Sequence, residues 1–274
     1  MFQRVYHRKS KLHAAVSILE LIYHSTVREV RKSHGNAFMA IGLNILQAMV
    51  FLATFYVMFT VLGLRGAALR GDFLLYIMSG IFLFLTHVKA LGAVVGAEGP
   101  SSPMMKHAPM TTAISITSAA LGALYVQAFS MTVILFAYHV GVHAFEVEYP
   151  FAAIGMLLLS WFTGAAIGLV LLAVKPCFPT FVATFATVYQ RANMIASGKM
   201  FVANTLPNYM LMLFDWNPLF HTIDQARGYV FVNYSPHNSN VTYPIVVAIS
   251  LTMIGLMGEF YTRRHASSSW DARR

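Results

Sequence analysis

His139 and His143 stand four residues apart, with Glu146 and Glu148 just beyond them. On a helix that spacing puts both imidazoles on one face, where a carboxylate could join them in holding zinc or copper. No third ligand is set by the spacing. The plainer reading is a group of polar side chains meeting water at a membrane edge, and no metal site is assigned. Met104, Met105 and Met110 look like a copper path only superficially, since methionine mostly fills gaps between helices. A nucleotide loop needs Gly-x-x-x-x-Gly-Lys followed by Ser or Thr. The nearest fragment, Ser197-Gly198-Lys199-Met200, lacks the first glycine and the hydroxyl. Serine-nucleophile elbows and His-Glu-x-x-His are also missing, and the single Cys177 excludes internal disulfides and cysteine-based metal sites. No residue is assigned a catalytic role.

Arg191 and Lys199 interrupt an otherwise apolar stretch, 178–202. A cation inside a span costs about 2.5 to 3.5 kcal/mol on insertion scales and is tolerated where it faces protein or water. Arg191 therefore points to a helix lining an interior or an aqueous path. Lys199, near the end of the stretch, can snorkel to the outer interface. Downstream, Asn217 can cap a helix whose first residue is Pro218. That helix runs on through Leu219, Phe220, Ile223 and Ala226 to Gly228. It gathers His221, Asp224 and Arg227 on one side, next to Trp216. A broken helix at membrane depth must be buried in protein or line a cavity, so this segment either shapes an exit mouth or plugs the outer face. Gly92/Gly96 and Gly164/Gly168 place small residues four apart, which lets helix backbones approach closely.

The elements that must position these residues follow from composition. Of 274 residues, 57% are hydrophobic and 11% charged, and the mean hydropathy is +0.62. A soluble domain carries about a quarter of its residues charged, so a soluble globule is excluded; a chain this apolar is not disordered either. A span needs about 20 mostly apolar residues. The windows 37–63, 73–97, 113–142, 151–174, 178–202 and 241–260 meet that length. The expected fold is an all-α membrane protein of six transmembrane helices. The mixed stretch 208–232 between the last two reads as two short helices dipping into the outer leaflet or packing on it.

Thirteen lysines and arginines fall on one side of these spans and three (Arg65, Arg70, Arg227) on the other. Cytoplasmic loops carry the excess of basic residues, so both termini are expected in the cytoplasm. The net charge of +9 is then explained by orientation, without a nucleic-acid partner. Before the first span, Leu12, Val16, Leu19, Tyr23, Val27 and Val30 recur at helical spacing opposite Lys11, Glu20, Arg28, Arg31 and Lys32. This predicts an amphipathic helix lying flat at the interface, as an anchor or also as a partner contact. The organisation expected is a cytoplasmic N-terminus over 1–36, one membrane domain over 37–263 and a cytoplasmic tail over 264–274.

In order along the chain, several stretches resemble the transmembrane subunits of ABC exporters of the polysaccharide-export class, which export capsule and O-antigen. They are Val27-Arg28-Glu29-Val30-Arg31-Lys32-Ser33-His34-Gly35, Met78-Ser79-Gly80-Ile81-Phe82, Lys106-His107-Ala108-Pro109, Arg191 through Ser197-Gly198 to Pro207, and Phe260-Tyr261-Thr262-Arg263-Arg264. The closest match is Trp216-Asn217-Pro218-Leu219-Phe220-His221 followed by Asp224, Arg227, Gly228 and Tyr229. The resemblance implies a permease of the bacterial inner membrane that pairs with a second permease copy and two copies of a separate ABC ATPase. ATP and magnesium would then be bound by that partner, with no cofactor in this chain. It implies ATPase contacts at Arg28, Glu29, Arg31 and Lys32 and at Pro100, Pro103, Met105, Lys106 and Pro109. It also implies a path for a lipid-linked or lipid-terminated glycan, possible periplasmic or outer-membrane export partners, and contact with membrane lipid. Arg191, Tyr125, Tyr138 and Tyr189 are the candidate path residues, since flat rings stack on sugar faces. Aromatic belts at the membrane interface are the plainer account of those rings. A permease of the same architecture could instead export a drug, a haem-related molecule or a lipo-oligosaccharide. The sequence departs from the family pattern in its methionine-rich coupling loop (Met104, Met105) and in lacking an aromatic after Arg31-Lys32.

Overall fold

The computed structural model describes residues 11–32, 37–63, 72–99 and 111–265. Its described helices are α1 (Lys11–Lys32), α2 (Ala37–Val61), α3 (Phe73–Val95), α4 (Thr112–Gly141), α5 (Pro150–Val174), α6 (Pro179–Ala196), α7 (Asn208–Phe214), α8 (Pro218–Val230) and α9 (Thr242–His265). No strand occurs among the described residues. Five helices, α2, α3, α4, α5 and α9, are long and apolar enough to cross a membrane. At 18 residues, with Arg191 and several polar side chains, α6 falls outside that set. The loop 100–110, which carries Pro100, Pro103, Met105, Lys106 and Pro109, lies outside the described residues, as does the side chain of Lys32.

The bundle is built around α3 and α5. In α3 78% of the apolar span is buried by protein, against 22% in α9. Glycine sets the closest crossings. A methyl group on Gly164 would overlap the backbone carbonyl of His87, and one on Gly168 would lie 2.9 Å from the carbonyl oxygen of Leu91. The second glycine pair behaves differently: the nearest neighbour of such a group on Gly92 is the Gln190 side chain, 3.9 Å away. Gly164/Gly168 is thus a backbone-to-backbone crossing of α5 on α3, whereas Gly92 has room for a methyl group beside the Gln190 side chain of α6. On α9, Gly255 packs on Leu169 and Gly258 on Ala173. Contacts therefore advance in the same sense along both helices, and α9 runs parallel to α5.

Each end of the bundle is tied by polar bonds that satisfy helix termini. At the near end, Thr111 caps α4, the Thr112 hydroxyl donates to the buried Glu259 carboxylate of α9, and Lys175 Nζ donates to the Val95 carbonyl at 2.8 Å. The signs suit the dipoles, with a carboxylate at the start of α4 and a cation at the end of α3. At the far end, Asp72 accepts from the Leu74 and Leu75 amides at 2.9 and 3.3 Å and also takes the Tyr138 hydroxyl of α4.

The helix α1 packs lengthwise on the first third of α4, with Ser17 to Ile22 beside Thr111 to Thr117 and Glu29 and Val30 against Gly122. Its docking face holds Leu21, Ile22 and the buried Ser25, while Val16, Leu19 and Tyr23 of the expected stripe are exposed. The helix thus has two apolar faces. One meets α4, and the other is left open.

Candidate functional site

The chain leaves α6 through Ser197 and Gly198, and Gly198 adopts φ +76°. Glycine reaches this left-handed conformation without a Cβ penalty and ends helices for that reason. A side chain there would also strike Phe220, 2.8 Å away. The Ser-Gly-Lys fragment is therefore a helix stop. The stop lies deep in the bundle: Lys199 Cα sits 2.9 Å from where a Cβ on Gly80 would be, about 10 Å along α3 from its start at Phe73.

Irregular backbone at such depth needs protein donors, because lipid offers none. Arg227 of α8 supplies them. Its Nη1 donates to the carbonyls of Gly198 (2.8 Å) and Phe201 (2.6 Å), and its Nη2 to that of Lys199 (2.7 Å). The guanidinium also lies over the Tyr76 ring of α3, 4.2 Å from its centroid. Asn217 caps α8 through the Leu219 amide and donates to Asn193 Oδ1 (2.8 Å) and to the Ala196 carbonyl (3.0 Å) at the end of α6. Asp224 accepts from the Tyr234 hydroxyl and from Ser239 at 2.6 Å. Burial, then the Asp224 charge, push the Tyr234 hydroxyl's pKa well above its ordinary value, so it stays a donor. His221 bonds the Asp215 carbonyl and accepts from the Asn240 amide at 3.2 Å. Trp216 is exposed. His221, Asp224 and Arg227 thus share a buried face and bond to protein, with Arg227 Nε alone of the guanidinium nitrogens left without a partner among the described residues; they lock α8 over the far end of the bundle.

Lys199 does not snorkel. Only 3% of it is exposed, and its ammonium lies 3.5, 4.8 and 5.0 Å from the ring centroids of Phe84, Phe51 and Phe55. Its Nζ has no hydrogen-bond partner. Of the two accounts of Lys199, interior or interface, the interior one matches this placement, because Phe220 and Gly80 hold the turn inside the bundle and the side chain runs toward the apolar centre.

Phe51 and Phe84 also wall a cleft of about 790 Å³ between α1, α2, α3, α4 and α6. Its walls are unusually polar for a bundle this apolar. Lys89 Nζ donates to Gln47 Oε1 at 2.7 Å, Asn44 donates to Ser130 at 2.9 Å, and Gln127 donates to Asn44 Oδ1 at 3.0 Å. From α6 come Thr187, Gln190 and Arg191. This is the arrangement that can hold a polar ligand at membrane depth.

Of the four candidate path residues, Arg191 lines this cleft. Tyr189 is next to it but donates to His87 Nε2 (3.1 Å). Tyr125 is exposed, stacked on Phe129 and away from the cleft walls, and Tyr138 is bonded to Asp72 at the far end. The ATPase-contact candidates Arg28, Glu29 and Arg31 fall on the last turns of α1, with Glu29 reaching the cleft wall and 3.8 Å from Arg28. His139 accepts from the Phe145 amide, and among the described residues no three of His, Cys, Asp and Glu gather as metal ligands would.

Sequence reasoning missed Lys89, His87 and Glu259. Lys89 is a lone cation in a long apolar run, which was itself the signal. His87 is fully buried, with Nδ1 3.2 Å from the Ser160 carbonyl and 3.0 Å from the Thr163 hydroxyl. A carbonyl only accepts, so Nδ1 carries the proton and Nε2 accepts from Tyr189. The residue joins α3, α5 and α6. No family model matches the chain, and no curated protein aligns with it significantly.

Proposed function

We propose that the chain is the membrane-spanning half of an exporter driven by a separate ATP-hydrolysing subunit, moving a lipid-linked polysaccharide outward. The observation that carries this reading is the polar cleft opening between α2, α4 and α6 among otherwise apolar helices, below a far end closed by the Arg227-centred lock. A closed outer face and an open inner cleft are what a permease resting before outward release requires. In this reading α6 and the broken segment after it form the sixth crossing, which the parallel run of α5 and α9 supports, since the chain must return to the far end between them. Both termini then face the cytoplasm of a bacterial inner membrane.

Two copies of the chain pair, and two ATPase copies dock against α1 near Arg28 and Arg31 and against the loop 100–110. The exposed apolar residues Phe181, Phe185 and Val188 of α6 favour a partner helix or lipid on that face. ATP closing its subunits shifts the permease toward an outward-open state, by no more than its differential binding to the two states. No covalent chemistry is asked of this chain. The test is deletion of the chain from its host. Polymer should accumulate inside the cells, and a stoichiometric ATPase should co-purify with the tagged protein. Normal export without the chain overturns the proposal.

A further inference from the structure

We infer that the cleft is a binding site for the phosphate group of a membrane lipid, taken up sideways from the leaflet at the near end of the bundle. This rests on the transport reading above for its purpose, but not for its chemistry. Two cations line one space, and a third lies behind its wall. Arg191 stands on α6 at its wall, without a hydrogen-bond or ion-pair partner among the described residues. Lys89, half-buried, has the neutral Gln47 amide as its hydrogen-bond partner among the described residues. Lys199 is outside the lining, almost fully buried behind the Phe51 and Phe84 rings, with its ammonium over those rings and without a hydrogen-bond partner among the described residues. Among the described residues Glu29 is the one carboxylate on the lining, and Arg28 lies 3.8 Å from it.

Cations cost free energy at membrane depth and persist where an anion or water meets them. A cleft with this imbalance is built for an anion. The amides of Gln47, Gln127 and Gln190 add donors and acceptors suited to phosphate oxygens and neighbouring hydroxyls, and cation–oxyanion hydrogen bonds are the stronger kind. The depth also fits. Lys89 lies about 9 Å along α3 from its end at Val95, close to where one leaflet's headgroups meet its chains. Flanking apolar residues such as Leu43, Val88 and Val126 suit the first carbons of an acyl or prenyl chain. Small residues add little bulk to the walls: Ala40, Gly92 and Ala119 are among the lining.

The test is native mass spectrometry of the full chain in neutral detergent, titrated with phosphatidic acid, with phosphatidylcholine and with inorganic phosphate. Phosphatidic acid should bind at one saturable site, above phosphatidylcholine. Competition by millimolar inorganic phosphate would assign the site to the free anion and overturn lipid capture. Arg191→Gln, at an exposed position where folding is not at stake, should weaken phosphatidic acid binding roughly tenfold or more, and Lys89→Gln likewise. Arg191→Lys should keep most of the binding, and Arg263→Gln, an exposed cation outside the cleft, should leave it unchanged. Equal binding by wild type and Arg191→Gln, or equal loss in Arg263→Gln, overturns the inference. The two proposals separate cleanly: lipid binding that survives while deletion leaves export normal sinks the exporter alone. Export that needs the chain but is indifferent to Arg191→Gln and Lys89→Gln sinks the site alone.

Discussion

Three backbone carbonyls, of Gly198, Lys199 and Phe201, face protein rather than water, and one guanidinium meets all three. Removing it strands them, together with the buried space it fills. Arg227→Ala should lower unfolding free energy by about 3–5 kcal/mol, seen as a lower melting temperature of the purified protein in detergent. Arg227→Lys should recover only part of this, because an ammonium cannot span the three carbonyls as a planar fork does. Unchanged melting in both variants would remove Arg227 from this role. Tyr234 gives a pH signature. Its folded pKa is raised above its unfolded one, so its contribution is complete below the unfolded value and is lost as pH rises through the folded one. The stability gap between wild type and Tyr234→Phe should hold from neutral to about pH 9 and narrow above about pH 10. A gap that widens with alkali contradicts the assignment.

At the level of elements, the two glycine pairs look alike in sequence and differ in the bundle. Gly164→Ala drives a methyl into the His87 backbone and should cost about 1–3 kcal/mol through overpacking. Gly92→Ala meets nothing nearer than the Gln190 side chain at 3.9 Å and should be neutral or slightly stabilising, by up to about 1 kcal/mol, through helix propensity. Equal melting temperatures for the two variants would refute the difference. The helix α6 is held loosely: its buried residues are Val182, Ala186 and Asn193, and Tyr189 provides its hydrogen bond to α3. Tyr189→Phe leaves the packing and removes the bond. It should raise amide hydrogen exchange across residues 179–196 several-fold while α3 stays protected, and unchanged exchange would show that the bond carries no weight.

For the whole molecule, the decisive geometry is the parallel run of α5 and α9. It places the start of α4 and the end of α9 at one end of the bundle, where Thr112 bonds Glu259. Cysteines introduced at His13 and Arg263 in a Cys177→Ser background should react with a membrane-impermeant thiol reagent from the same side. Labelling from opposite sides would dismantle the six-crossing arrangement and the export reading together. The same end carries α1, whose exposed Val16, Leu19 and Tyr23 lie available to a leaflet surface or to a docked subunit.

Hydropathy and length alone were enough for an all-helical membrane chain. The windows 37–63, 73–97, 113–142, 151–174 and 241–260 fall on α2, α3, α4, α5 and α9 within a few residues, because burial in lipid demands a continuous apolar run and leaves that run in the sequence. Local signals were equally legible: Asn217 and Pro218 start α8, and Gly198 stops α6, since capping and left-handed backbone depend on neighbours in the chain. The partners of the polar groups were not. Lys199 was left between an interior and the interface and lies among three phenylalanines from α2 and α3. Tyr138 was expected on a path and is bonded to Asp72. Lys89 and His87 passed unnoticed in an apolar run. Whether a buried cation meets carbonyls, rings or an open cleft depends on which helix faces meet, and in a chain that is apolar all round no periodicity marks those faces. The tertiary structure alone decided that, by bringing α6 alongside α3 and packing α1 on α4 at Gly122.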